Sequence, residues 1–242
     1  SKLKPNVKIM AMVKAFSYGS GTVEIPKLLE HEGVNYLGVA YTDEGIVLRK
    51  NGVKTPIIVM NPEQGSFSDL INYELEPEIY SLQELDELVR HLIVANKQDY
   101  PIHIKLETGM NRLGFLPDEI SKLIQYIKSQ PEVYIKSIFS HLSSADEIEE
   151  KEFTLGQINK FEVYSTQLSL AFSYHIDRHI LNTAGIENYS EYQFDMVRLG
   201  IGMYGINVSE NSEIKPISSL KTVIIQLKKL KKGDSSGYGR KT

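Results

Sequence analysis

One feature of this chain constrains its fold more than any other: short, apolar, strand-like runs recur eight times in its 242 residues, and most are followed by a segment of helical periodicity. The runs are KIMAMVKA (8–15), YLGVA (36–40), PIIVMN (56–61), the weaker EPEIYS (76–81), HIKLE (103–107), YIKSIFSHL (134–142), DRHILN (177–182) and DMVRLG (195–200). Helical spacing follows over 22–33, 42–52, 66–74, 82–98, 117–130 and 151–170, and a brief connection covers 183–191. In 82–98, Leu82, Leu85, Leu88, Val89 and Leu92 share one helical face. Eight βα units predict an α/β fold of the TIM-type, a (β/α)8 barrel, over residues 1–206. A doubly wound sheet with a dinucleotide site is disfavoured, because Gly19-Ser20-Gly21 lacks the third glycine of that fingerprint. Beyond 206, SLKTVIIQLKKLKKGDSSGYGRKT reads as a strand, a turn and the start of another strand.

Composition removes several function classes. The formal charge of −4 argues against a nucleic-acid partner. The absence of cysteine excludes disulfides, a thiolate nucleophile and cysteine-held metal. No run reaches the roughly 20 apolar residues of a membrane span, and the N-terminal residues lack a signal-peptide pattern. A cytoplasmic protein without a membrane partner is expected.

In such a barrel, chemistry sits at the C-terminal ends of the strands. Those ends carry Lys14, Met60 and Asn61, Lys105 and Glu107, His141, His179 and Asn182, then Arg198 and Gly200. Lys14 is either a surface lysine with its stem on apolar neighbours or an amine that condenses with a carbonyl. A field from Arg112, Arg198 and His179 would make it more reactive. His141, in FSHLSSAD, is a core histidine or a site residue. Zinc is disfavoured, since no H-x-x-x-H or H-E-x-x-H motif is present and His175 and His179 are spaced along a strand. Gly200 and Gly202 after the last strand are either plain loop glycines or a phosphate seat. Lysine, ring-facing histidine and phosphate seat together point to a phosphate-bearing aldehyde cofactor.

At these residues the sequence resembles the alanine racemases, through MVKAFSYGSG, KLETGMNRLGF, SHLSSAD, HILNTAG and MVRLGIGMYG in the family's order. Within that family it most resembles the variant fused to a Mur ligase. The resemblance implies pyridoxal 5'-phosphate as cofactor, alanine as substrate, a homodimer, and D-alanine supply for peptidoglycan. It implies that Lys14 holds the cofactor and acts as one of two bases. Tyr18, Asn182, Thr183, Gly200 and Ile201 would surround the phosphate, His141 would pack on the pyridine ring, and Met60 would be a small apolar contact. Arg198 would donate to the ring nitrogen with His179 behind it, and Arg112 would bind the substrate carboxylate. Lys105 would be N-carboxylated to balance Arg112, or else would be a rim lysine paired with Glu107. The resemblance also makes 207–242 the beginning of an incomplete C-terminal β domain. The second base, a tyrosine from that domain of the partner subunit, would lie beyond residue 242, so the chain alone would be a poor racemase. The main alternative is a barrel-only protein that binds pyridoxal phosphate without racemising amino acids. Decarboxylases of this barrel class place a carboxylate where this chain has Arg198, and a non-catalytic interaction barrel would take up no cofactor.

Overall fold

The computed structural model describes residues 3–206, 214–215, 217, 219, 221–236 and 238. Eight parallel strands run in the order β7-β6-β5-β4-β3-β2-β1-β8. They are β1 (Lys8–Met12), β2 (Tyr36–Val39), β3 (Ile57–Val59), β4 (Glu76–Ile79), β5 (Tyr100–Lys105), β6 (Val133–Phe139), β7 (Asp177–His179) and β8 (Met196–Leu199). The two ends of that order meet. The N–H of Asp195 donates to Arg178 O at 3.0 Å and that of Arg198 to Leu181 O at 3.0 Å, so the sheet is a nearly closed barrel. The expected (β/α)8 architecture is therefore observed, including the weakly marked β4.

Helices alternate with the strands: α2 (Glu24–His31), α3 (Thr42–Lys50), α4 (Phe67–Asn72), α5 (Leu82–Val94), α6 (Ile120–Lys128) and α7 (Lys151–Ser169), with α8 (Thr183–Asn188) replacing the brief connection expected there. The first helical element, α1 (Lys14–Gly19), is different in kind and is described below. The side chain of Ser81 caps α5 by accepting the Glu84 N–H, and α5 buries Leu85, Leu88, Val89 and Leu92 against the strands. Each such side chain contributes about 1.5–3 kcal/mol. The helix ends four residues earlier than its periodicity suggests, because Asn96 turns left-handed (φ 52°). The strand expected near 219–230 is not formed by the described residues 221–230, where Ile224, Ile225 and Leu227 are exposed. Strand-like composition produces a strand only where a ladder partner exists, and these residues have none among the described ones. The rest of the expected β segment lies mostly outside the described residues.

The barrel interior is divided in two. Met10, Met12, Tyr36, Ile58 and Met196 form an apolar cluster separate from the large core between strands and helices. The other half is polar: Glu78, His103, Lys105, Ser137, Asp177, His179 and Arg198 are all buried. A register shift opposite Ile102 and His103 keeps Ile135 and Ile138 in the outer core and leaves Ser137 bonded to side chains of β5 and β7.

α1 places the chain for the site. Ala15, Phe16, Ser17 and Tyr18 all have φ between 51° and 55°, a left-handed turn without a glycine among them. Left-handed helical geometry costs roughly 1–2 kcal/mol per residue, so neighbours must hold it. The Glu44 carboxylate accepts the Ala15 N–H at 2.7 Å and the Ala40 N–H at 2.6 Å, clamping the turn to the end of β2. Tyr18 stacks on Tyr204 at 4.8 Å, and the Tyr204 hydroxyl donates to Met12 O at 2.9 Å. Removing the clamp with Glu44→Ala is expected to cost about 2–3 kcal/mol in urea unfolding, the worth of charged hydrogen bonds to two backbone donors. A change below about 0.5 kcal/mol, the range of an ordinary surface substitution, would show that the turn holds itself.

Candidate active site

A cavity of about 650 Å³ opens at the C-terminal mouth of the barrel, a size suited to a small ligand with its cofactor. Lys14, Tyr18, Met60, Lys105, Arg112, His141, Asn182, Thr183, Arg198, Gly200 and Ile201 all line it. His179 does not: it is fully buried beneath, with Nδ1 2.6 Å from Arg198 Nη1. Glu107 is also outside the lining; it accepts the Gly109 N–H.

Arg198 is the most heavily bonded side chain here. Nη2 donates to Ser140 O at 2.6 Å and Ile180 O at 3.1 Å and contacts His141 Nδ1 at 3.3 Å, while Nη1 meets His179. These bonds to the described residues are all made by the two Nη groups and not by Nε. Burial pushes the guanidinium down to about 10, so it stays a cation at neutral pH. Burial, and then the Arg198 charge, hold His179 well below the usual imidazole range. His179 is therefore neutral and adds nothing to the positive field expected around Lys14. His141 is likewise pushed down, to about 3, first by burial and then by Arg198, Arg112, Lys105 and Lys14. It presents an uncharged ring to the cavity.

On another side the donors converge. Thr183 Oγ1 accepts the N–H groups of Gly200 at 3.1 Å and Gly202 at 3.4 Å, which leaves its own proton to donate. A Cβ on Gly200 would come within 3.0 Å of the Tyr18 hydroxyl, and one on Gly202 within 2.3 Å of Thr183 Cγ2. The N–H groups of Gly200 and Gly202 are engaged by Thr183, so the hydroxyls of Tyr18 and Thr183 are the donors this corner offers, a chemistry a phosphate group fits. Asn182 lines the cavity, but its side-chain oxygen caps α8 at Gly185 N–H and its amide reaches Leu142 O. It shapes the cradle through the helix it starts.

Lys105 departs from expectation. Its ammonium lies 2.8 Å from Glu78 Oε1 with both side chains buried, and Glu107 is not its partner. Burial raises the Glu78 carboxyl, against the pull of Lys105, Arg198 and Arg112. Glu78 Oε2 has no hydrogen-bond partner among the described residues although it is buried, and Glu78 lines the cavity. Arg112 sits in the loop after β5, where a bridge between Leu106 and Phe115 folds the chain back. Gly114 makes that fold possible: a Cβ there would fall 2.7 Å from Glu107 N, and its φ is 135°. Glu78 and Tyr204 are site residues that reading the strand ends missed. The signal available was alternation, E-x-E on β4 beside H-x-K on β5, which puts charge on the inner face of adjacent strands.

The neutral His141 has a measurable consequence. Unfolded, the imidazole takes a proton near pH 6.5; folded, it resists until about pH 3. Between these values the unfolded state binds more protons, so stability falls as pH drops from about 6.5 towards 3. His141→Phe is expected to flatten this part of the urea-unfolding profile, His179 supplying the remainder. An unchanged profile would show that His141 is charged in the folded protein.

Residues 1–208 match the family described as alanine racemase, N-terminal domain. Alanine racemase of Clostridium kluyveri is 38% identical over 243 residues, covering 98% of this chain and 62% of that protein. The solved alanine racemase of Clostridium difficile 630 superposes with a TM-score of 0.82 at 32% identity, covering 89% of this chain and 57% of that one. The Bacillus anthracis enzyme, solved with bound L-Ala-P, gives 0.80 at 25% identity, covering 98% and 63%. The chain thus spans somewhat under two thirds of the relatives it matches, and their names lend no support to a Mur-ligase fusion. With its barrel topology and the family match over 1–208, the chain belongs to the alanine racemase family, of which it carries the N-terminal barrel domain.

Proposed function

We propose that this barrel binds pyridoxal 5'-phosphate through Lys14 and serves the interconversion of L- and D-alanine. The observation that carries this reading is the pairing, in one cavity, of a lysine at its mouth with a buried arginine whose bonds to the described residues are made by its two Nη groups. The donor cluster of Tyr18, Thr183, Gly200 and Ile201 would hold the phosphate, and His141 would lie against the pyridine ring. When bound, the cofactor supplies an electron sink for the negative charge that develops at the alanine Cα.

The chain's own residues then have distinct tasks. Arg112, exposed at the mouth, pairs with the substrate carboxylate. The Lys14 amine would remove or return the Cα proton on its own face. Arg198 can only donate, so it would meet the ring nitrogen as an acceptor and would not protonate it. A decarboxylase-type carboxylate at this place would do the opposite. Lys105, held by Glu78, balances Arg112 less directly than a carbamate would; carboxylation of Lys105 would set two anions against each other at that contact.

Inversion needs a base on the opposite face. We assign it to a tyrosine from the C-terminal β domain of a second subunit, in a protein of the relatives' length. The presence of Arg112 favours this reading over a barrel that only stores cofactor.

Two measurements test it. Borohydride reduction of the protein loaded with pyridoxal phosphate is expected to fix the label on Lys14, and on no residue in Lys14→Ala; a label on another lysine overturns the assignment. In D₂O the 242-residue chain is expected to exchange the Cα proton of one enantiomer with retention, and to invert it roughly 10²–10⁴-fold more slowly, the contribution of one general base. Inversion as fast as exchange would place the second base within these residues.

A further inference from the structure

Below the cavity, four side chains continue from Arg198 across the barrel interior. His179 Nδ1 lies 2.6 Å from Arg198 Nη1, and His179 Nε2 lies 3.0 Å from Ser137 Oγ. Ser137 Oγ lies 2.6 Å from His103 Nδ1, and His103 Nε2 lies 2.7 Å from Glu76 Oε2. Both imidazoles are fully buried, Ser137 is 1% exposed, and only the Glu76 side chain, at 15%, reaches towards solvent. The path starts at the last residue of β7, passes through β6 and β5, and ends at the first residue of β4.

Proton positions along this path follow from one fact. A guanidinium has five donors and no acceptor, so His179 Nδ1 must accept. A neutral imidazole with an accepting Nδ1 carries its proton on Nε2, so His179 donates to Ser137 Oγ. The serine hydroxyl then has one proton and one remaining partner, His103 Nδ1, which accepts it. His103 accordingly carries its proton on Nε2 and donates it to the Glu76 carboxylate. A proton on His103 Nδ1 instead would leave the buried Ser137 hydroxyl proton without an acceptor.

We infer that Arg198, His179, Ser137, His103 and Glu76 form a single one-directional relay, in which the Glu76 carboxylate fixes both histidine tautomers and so positions Arg198 from the far end of the barrel. Ser137, His103 and Glu76 are positioning residues: none touches the cavity. Each bond in the series polarises the next. The carboxylate draws on the His103 proton, making His103 Nδ1 a better acceptor for Ser137. The serine oxygen becomes a better acceptor for His179, and His179 Nδ1 a better acceptor for Arg198. The arginine is thereby held in one orientation, with its Nη groups committed to His179 and to the carbonyls of Ser140 and Ile180. The register shift in β6 acquires a purpose, since Ser137 is the only bridge between the two imidazoles among the described residues.

The relay deepens the functional reading above but can be tested without cofactor, so the two fail separately. In ¹⁵N-labelled protein, His103 and His179 are both expected to show a protonated Nε2 and an unprotonated Nδ1. A doubly protonated His103, or a proton on His179 Nδ1, overturns the relay. Ser137→Ala is expected to shift the Arg198 side-chain ¹⁵N signals and release His179 into a mixture of tautomers, while Ser137→Thr restores the single tautomer. Signals in Ser137→Ala identical to wild type overturn the coupling. Glu76→Gln, at a partly exposed position, serves where the buried variant fails to fold. It keeps an acceptor but removes the charge, and is expected to move the His103 signals most and those of His179 less, in the same direction. No movement at His179 contradicts a relay acting through Ser137.

Discussion

The architecture of the site depends on one buried guanidinium. Taking an arginine out of water into a barrel interior costs several kcal/mol unless its donors are met. Here they are met by the carbonyls of Ser140 and Ile180, at the ends of β6 and β7, and by the ring of His179. Three strands are thereby pinned at one point, close to where β7 and β8 close the barrel. Arg198 also stands over the Phe139 ring at 5.3 Å, and Lys105 faces the same ring at 5.7 Å. The field is positive on balance, with Lys14, Lys105, Arg112 and Arg198 around the cavity against the buried Glu78 and the exposed Asp146. That imbalance suits an anionic ligand bearing a phosphate and a carboxylate, and it adds to burial, the larger cause, in keeping both histidines near Arg198 uncharged.

Dividing the barrel interior into a methionine-rich half and a polar half gives the two parts different duties. The apolar side, Met10, Met12, Tyr36, Ile58 and Met196, packs by shape and adds stability. The polar side carries information about orientation, because each of its groups has a fixed donor or acceptor role. The strain in the α1 turn belongs to the same design: four left-handed residues, held by Glu44 and by the Tyr18–Tyr204 stack, bring Lys14 and Tyr18 to the same cavity. Unfavourable backbone geometry of this kind persists where the surroundings over-determine it.

Much of this was legible in the sequence. Strand and helix periodicity are local, so the eight βα units and the polar strand ends could be read directly, and of the candidate site residues all but His179, Glu107 and Gly202 line the cavity. What could not be read depended on register. Lys105 has Glu107 two residues away, which made that pairing look natural, yet the chain turns at the end of β5 and sends Glu107 to Gly109. The actual partner, Glu78, lies on the neighbouring strand and becomes visible only once β4 and β5 are aligned. The left-handed turn was hidden for a different reason: Ala15 to Tyr18 contain no glycine, asparagine or aspartate to announce positive φ. The same limit applies to 221–230, where composition favours a strand but the partner decides.

The central claim is that a donor-only group at the ring nitrogen governs the chemistry of this site. It is tested most directly by binding pyridoxal phosphate labelled with ¹⁵N in the pyridine ring and recording its nitrogen signal at neutral pH. The account predicts an unprotonated, hydrogen-bonded nitrogen in the wild-type chain and a protonated one in Arg198→Glu. A protonated nitrogen in the wild type, or the same signal in both proteins, would contradict it.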